Sequence, residues 1–217
     1  MQFSQLLYVV CEISTFSIAF PVVGSFFFFK RSEGSIKIFY YFLYLSALLD
    51  LLSIISSNLK IHNTLLSHID TLVTVIFLGV LYFNAINIVV VKKPIILAII
   101  CLVLFIIING AYIQGINQFN SNSRTVGSIF LILLSLLYFY QLFSRMPIIR
   151  IEKDFMFWIS VGVLFYYSGT SFLFVLYRNT NFGLTTEINT QIWIVNSILN
   201  ILQNILFGVA ILCQRKK

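Results

Sequence analysis

Long apolar stretches dominate the chain and recur seven times along it. A helix needs about 20 apolar residues to cross the roughly 30 Å hydrocarbon core of a bilayer, and each stretch meets that length. Runs such as residues 95–100 (IILAII) lack the alternation of a membrane β-strand. The pattern therefore predicts an all-α bundle of seven transmembrane helices that forms one domain over residues 1–217. In chain order, spans 1 to 7 are predicted at Leu6–Phe29, Ile36–Ser57, Leu65–Val91, Pro94–Gln114, Val126–Ser144, Phe155–Tyr177 and Gln191–Cys213.

Two prolines bear on the shape of these helices. Pro94 suits the first turn of span 4, where its missing N–H costs nothing. Pro21 lies inside span 1, where it removes a backbone hydrogen bond and predicts a kink.

Composition agrees with a lipid environment. Of 217 residues, 59% are hydrophobic and only 10% are charged, whereas a soluble domain carries about a quarter charged residues. The net charge of +7 does not indicate a nucleic-acid partner, because the basic residues are distributed as membrane orientation requires. Three scattered cysteines without a CxxC pair indicate neither a disulfide framework nor a zinc site.

The basic residues are unevenly divided between the two ends of the predicted bundle. Three lie on one side, Lys60, Arg124 and Arg178. The other side has eleven: Lys30, Arg31, Lys37, Lys92, Lys93, Arg145, Arg150, Lys153, Arg215, Lys216 and Lys217. Because cytoplasmic loops are enriched in Lys and Arg, we predict an outside N-terminus and a cytoplasmic C-terminus.

Polar residues inside the spans are the candidate functional groups, because ionisable side chains in lipid usually face the bundle interior. Glu12 and Asp50 are the acids predicted to lie deep, and no Lys or Arg lies deep inside any predicted span to pair with them. Glu12, Asp50, Thr74 and Asn196 share a layer roughly 8–14 Å below the outer boundary, at about 1.5 Å per residue. The predicted ligand-binding residues of an outer-half pocket are Glu12, Asp50, Thr74, Asn196 and Asn200.

Two helices carry these groups on polar stripes. Residues 46, 50, 53 and 57 (Ser, Asp, Ser, Ser) fall on one face of span 2. An asparagine stripe in span 7 comprises Asn196, Asn200 and Asn204. The side chains of such stripes also form hydrogen bonds between helices, worth about 0.6 kcal/mol each on average. The asparagine stripe can therefore line a pocket or only pack helices together, and the sequence leaves both alternatives open.

Catalytic and metal-binding patterns are weak in this sequence. It has no Gly-x-Ser-x-Gly elbow and no Gly-rich phosphate loop. His62, His68 and Asp70 are conceivable zinc ligands, but their short spacing is more typical of a solvated loop. We therefore predict no catalytic residues, no metal and no cofactor, and expect that the protein is not an enzyme.

Several segments resemble a known family. They are FNSNSRT at residues 119–125, LILLSLLYFYQLF at 131–143, and the tripeptides 157–159 and 167–169, together with HNTLLSHI at 62–69 and NSILNILQNIL at 196–206. These segments resemble a family of small seven-helix proteins from Bacteroidota that is often associated with histidine kinases of two-component systems. The family often has acids near Thr74 and Gly127 and a histidine near Asn196, which this chain lacks.

The sequence thus leads to two functional hypotheses. The first, which follows the resemblance to a bacterial family, is a receptor-like sensor of the bacterial inner membrane. It would signal to a cytoplasmic or membrane partner, such as a histidine kinase, by moving helices. The second is a small-solute or ion transporter or channel that uses the polar interior as a path. Transporters commonly contain internal repeats, and the absence of a clear repeat in this sequence favours the sensor. The sequence does not reveal the ligand or the oligomeric state.

Overall fold

The protein is a seven-helix bundle of the length and composition that crosses a membrane. The computed structural model describes the backbone of residues 2–118, 120–145, 150–180 and 186–214, and the side chains of residues 7–30, 32–118, 120–144, 150–173 and 190–214. Within these ranges every regular element is helical. Span 1 comprises two helices, Gln2–Ser17 and Ala19–Phe28. Spans 2 to 7 are the helices Ser35–Asn58, Thr64–Ala85, Val89–Ile108, Ser121–Arg145, Phe155–Thr180 and Thr186–Cys213, and a π-helical turn at Asn109–Ile113 extends span 4.

The connection between spans 3 and 4 lies earlier than predicted. It occupies residues 86–88, so Pro94 sits inside the helix of span 4, and its predicted place in the first turn is wrong. Gln141 of span 5 explains the break, because its side chain bonds to the backbone on both sides of Ile86. Its Nε2 donates to the carbonyl of Ala85 at 3.1 Å, and its Oε1 accepts from the backbone N–H of Asn87 at 2.5 Å.

Two other connections bear on the predictions. Span 5 begins at Ser121 rather than Val126, which brings Arg124 into the first turn of the helix. The connection predicted between Arg178 and Thr190 is shorter, because the flanking helices reach Thr180 and resume at Thr186. Residues 181–185 lie outside the described part of the chain.

Span 1 is interrupted at Ile18, three residues before Pro21. Pro21 has no N–H to donate to the carbonyl of Ser17, so the regular hydrogen-bond pattern cannot continue across this point. Ile18 itself keeps right-handed helical angles (φ −62°, ψ −22°), and the backbone N–H of Val22 bonds to its carbonyl at 3.2 Å. The helix is therefore interrupted three residues before Pro21, the residue at which the sequence predicted a kink.

Six spans form a closed ring, in the order 1, 2, 3, 5, 6 and 7, with span 7 packed against span 1. Span 4 lies outside this ring against spans 3 and 5. We call the end with the connections 59–63 and 114–120 the N-terminal face. The opposite end, with the connections 29–34, 86–88 and 150–154, is the C-terminal face.

Close helix approaches depend on small residues, as is typical of membrane bundles. A Cβ built on Gly79 of span 3 would lie 2.9 Å from Cδ1 and Cγ1 of Ile99 in span 4. A Cβ on Gly169 of span 6 would lie 2.5 Å from Cδ1 of Leu199 in span 7. Large apolar side chains such as Phe27 and Leu97 cover the outer surface, where lipid is their natural solvent.

Candidate functional site

A polar cavity of about 210 Å³ lies inside the ring, and all six ring helices contribute to its wall. Its lining residues are Ile18, Phe42, Leu43, Ser46, Asp50, Asp70, Thr74, Arg124, Tyr166, Tyr167, Asn196, Asn200, Gln203, Asn204 and Phe207. The structure therefore brings together four of the five predicted ligand-binding residues: Asp50, Thr74, Asn196 and Asn200. Their role in binding a ligand stays a prediction.

Glu12 is the exception, and its predicted orientation towards the bundle interior is wrong. Its side chain is exposed and does not line the cavity. Span 1 instead turns Cys11 and Ser14 towards span 7, where the Ser14 hydroxyl accepts a 3.0 Å hydrogen bond from Asn200 Nδ2. Successive helical residues differ by about 100° in direction, so this packing turns Glu12 outward.

An ion pair that the sequence did not predict lies in the cavity wall. Arg124 of span 5 donates from Nη2 to Oδ2 of Asp70 in span 3 at 3.1 Å, and both side chains are partly buried. The prediction placed Arg124 in a loop because it started span 5 five residues too late. The run of small polar residues at 120–123 is the available signal, because such residues commonly begin helices.

A hydrogen-bonded cluster holds the first turn of span 5, and hence Arg124, in position. Asn120 is fully buried, and its Nδ2 donates to Thr71 Oγ1 at 2.7 Å and to the carbonyl of Ser67 at 3.0 Å. Asn109 Nδ2 in the π-helical turn donates to Ser123 Oγ at 2.9 Å. We call this cluster the polar knot; its members are Ser67, Thr71, Asn109, Gln114, Asn120, Ser121, Asn122 and Ser123. It ties spans 3, 4 and 5 together beside the ion pair.

A second space, the vestibule, has a volume of about 350 Å³ and lies between the cavity and the N-terminal face. Residues at that face line it, among them Asn63, whose Nδ2 donates to Ser53 Oγ at 2.9 Å. Asp50, Asp70 and Arg124 line both the vestibule and the cavity. The two spaces therefore meet at the charged residues of the site.

Aromatic side chains form the floor of the cavity towards the C-terminal face. Phe42 and Phe207 belong to the lining, and the Phe207 ring packs edge-on against Phe39 with centroids 5.0 Å apart. Phe39 also packs edge-on against Phe155 at 5.4 Å. Phe39 and Phe207 are 0% and 2% exposed, so this aromatic floor (Phe39, Phe42, Phe155 and Phe207) is tightly packed.

The asparagine stripe both packs helices and lines the cavity, so neither of the two predicted roles excludes the other. Asn200 Nδ2 donates to Ser14 Oγ, and Asn204 Nδ2 donates to Ser17 Oγ at 2.7 Å. Other buried atoms of the lining residues have no hydrogen-bond partner within the described part of the chain: Ser46 Oγ, Asn196 Oδ1 and Gln203 Nε2. Buried polar atoms are nearly always hydrogen-bonded, so these three atoms indicate a cavity that holds water or a polar ligand.

The residues considered as zinc ligands lie in different environments. His62 is exposed, His68 Nε2 lies 3.3 Å from the carbonyl oxygen of Gln118, and Asp70 pairs with Arg124. No group of three or more His, Cys, Asp or Glu residues is placed to hold a metal ion among the described residues.

No family model, curated protein or solved structure matches this chain. The resemblance to the family from Bacteroidota therefore depends on the sequence segments alone. The geometry itself supports one chemical conclusion: the cavity contains two carboxyl groups, one guanidinium and several amide and hydroxyl groups, which suit a small polar ligand.

Proposed function

We propose that this protein is a receptor-like sensor of a bacterial inner membrane, with its N-terminal face outside and its C-terminal face in the cytoplasm. In this proposal the cavity binds a small ligand, and a signalling partner such as a histidine kinase detects the response. The protein acts without catalysis of its own. The excess of basic residues towards the C-terminal face supports the orientation. The resemblance to the family from Bacteroidota supports the type of partner.

The aromatic floor is the observation that carries this proposal. A sensor needs a site that is reached from one side, whereas a transporter must open its site to each side in turn. The vestibule leads from the N-terminal face towards Asp50 and Arg124, but the aromatic floor fills the bundle beyond Phe207. Below the floor, Tyr40 donates to Gln214 Oε1 at 2.5 Å, and Gln214 Nε2 donates to Ser32 Oγ at 2.8 Å.

The same contacts supply a route for the signal. A ligand at Asn196 or Asn200 touches span 7, which the asparagine stripe fastens to span 1. The Gln214 side chain beyond the end of span 7 bonds to residues of the C-terminal face. A shift of span 7 along its axis therefore changes the arrangement of that face, where a cytoplasmic partner would bind.

One observation favours the second candidate, a small-solute or ion transporter. Span 1 is interrupted at Ile18, and Ile18 lines the cavity. Ile18 keeps right-handed helical backbone angles, so this is a local break in hydrogen bonding; transporter binding sites often lie at helices that are broken near the middle of the membrane. The two functions therefore differ in one testable property, namely access from the C-terminal face.

The deciding experiment measures the reactivity of single cysteines along span 7. Cys11, Cys101 and Cys213 are first replaced by serine, and Asn196→Cys and Ile211→Cys are then introduced separately. A water-soluble thiol reagent is applied from each side of oriented membrane vesicles. Asn196→Cys should react from the N-terminal face, since it lines the cavity. Ile211→Cys, at a fully buried position beyond the floor, should react from neither face.

Two outcomes would contradict the proposal. Reaction of Ile211→Cys from the C-terminal face, in any condition, would support the transporter instead. Failure of Asn196→Cys to react from either face would mean that the cavity is closed to water, and a sensor of soluble ligands would then be excluded.

A further inference from the structure

We propose that the cavity binds a small organic ammonium ion, with the Asp50 carboxylate as its counter-charge. This inference rests on the proposed function, because it assumes that the cavity is a ligand site. It adds the chemical class of the ligand, which the sequence did not predict.

The charges of the cavity favour a cation. Two acids, Asp50 and Asp70, share the wall with one basic residue, Arg124. Arg124 is already bonded to Asp70 at 3.1 Å. Asp50 receives no hydrogen bond and forms no salt bridge within the part of the chain that the structure describes. A buried charge is costly unless an opposite charge pairs with it. A cationic ligand that contacts Asp50 would supply that pairing.

Independent support comes from buried oxygen atoms on the same wall. Ser46 lies one helical turn from Asp50 on the same face of span 2, is 9% exposed, and its Oγ has no partner within the described residues. Asn196 Oδ1 is likewise buried without a partner there. An ammonium group with hydrogen atoms is a donor only. It would therefore satisfy these two oxygens together with the carboxylate.

The aromatic residues and the size of the cavity indicate an organic cation rather than a bare metal ion. Tyr166 and Tyr167 line the cavity, and their rings form an edge-on pair with centroids 4.9 Å apart. Aromatic rings attract organic cations through their π faces. A volume of about 210 Å³ is below the roughly 300–1,000 Å³ of sites for drug-sized ligands, so the ligand has few non-hydrogen atoms.

The test measures binding of ethylammonium chloride to the full chain in nanodiscs of phosphatidylglycerol, through the thermal unfolding midpoint. Ligands that bind the folded state raise this midpoint in a saturable manner. Asp50→Asn should weaken the apparent affinity by about tenfold or more, as expected for a lost charge-assisted hydrogen bond. Asp50→Glu, which keeps the negative charge, should bind ethylammonium more tightly than Asp50→Asn but less tightly than the unaltered protein. Glu12→Gln is the matched control, because Glu12 is an exposed acid outside the cavity, and the affinity should be unchanged.

The comparison salts distinguish the outcomes. An equal effect of sodium chloride or sodium acetate, or an unchanged affinity in Asp50→Asn, would overturn the ammonium assignment. The sensor proposal is tested separately. It stands if Asn196→Cys still reacts with a water-soluble reagent, even when the ammonium assignment fails. Nanodiscs that contain phosphatidylethanolamine test a lipid source: a raised midpoint that Asp50→Asn abolishes would support the same chemistry, with the headgroup as ligand.

Discussion

The buried side chain of Asn120 makes a quantitative prediction about the polar knot. Its Nδ2 donates to Thr71 Oγ1 and to the carbonyl of Ser67, and its Oδ1 accepts from Ser67 Oγ at 2.7 Å. Asn120→Ala removes all three hydrogen bonds. Hydrogen bonds between membrane helices average about 0.6 kcal/mol each, so the free energy of unfolding should fall by about 2 kcal/mol.

The assay is equilibrium unfolding in mixed micelles, with the helical circular dichroism followed as the fraction of denaturing detergent rises. Asn117→Ala is the matched control, because Asn117 is exposed in the same connection and should change stability by less than about 0.5 kcal/mol. Equal losses in the two variants, or a loss below about 0.5 kcal/mol for Asn120→Ala, would refute the idea that the polar knot stabilises the bundle.

Three more predictions address orientation, packing and the floor. In intact spheroplasts Asn117→Cys should react with a membrane-impermeant thiol reagent, and Glu33→Cys should react only after lysis; the reverse pattern would invert the proposed topology. Gly79→Ala should destabilise the bundle by about 1–3 kcal/mol in the same unfolding assay, because the added methyl group overlaps Ile99; a neutral effect would mean that the Ile99 side chain moves away freely. Phe207→Ala should lower stability by about 3 kcal/mol and admit water-soluble thiol reagents from the C-terminal face, whereas an unchanged barrier would show that the floor does not depend on this ring.

The sequence predicted the seven spans well because length and apolar character are one-dimensional properties. The depth of a residue below the membrane surface follows from its position along the helix. Asp50, Thr74 and Asn196 could therefore be assigned to one layer of the bundle from the sequence. The direction of a side chain around its helix depends on which neighbour the helix selects. For span 1, the hydrogen bond between Ser14 and Asn200 turns the Ser14 side towards span 7 and so turns Glu12 outward. The residue pattern of span 1 alone does not reveal this contact.

The ion pair was missed for a different reason. A span boundary drawn from apolar residues excludes a polar first turn, and Ser121 to Arg124 form such a turn. The polar knot makes this turn stable inside the bundle by supplying partners from spans 3 and 4. Those partners lie about 50 residues away for Asn120 and Thr71, so local propensity could not indicate them.

The closure of the ring between its first and last helices has a consequence for biosynthesis. Asn204 and Ser17 are 187 residues apart in sequence. At about 5–20 residues per second, a ribosome needs roughly 10–40 s to produce the second partner after the first. During that interval the Ser17 hydroxyl can keep its 2.6 Å hydrogen bond to the carbonyl of Ser14 in its own helix, but its oxygen has no asparagine donor from span 7. A nascent chain halted before span 7 would therefore have an open ring, in which the hydroxyl oxygens of Ser14 and Ser17 lack the donors that Asn200 and Asn204 supply in the complete bundle.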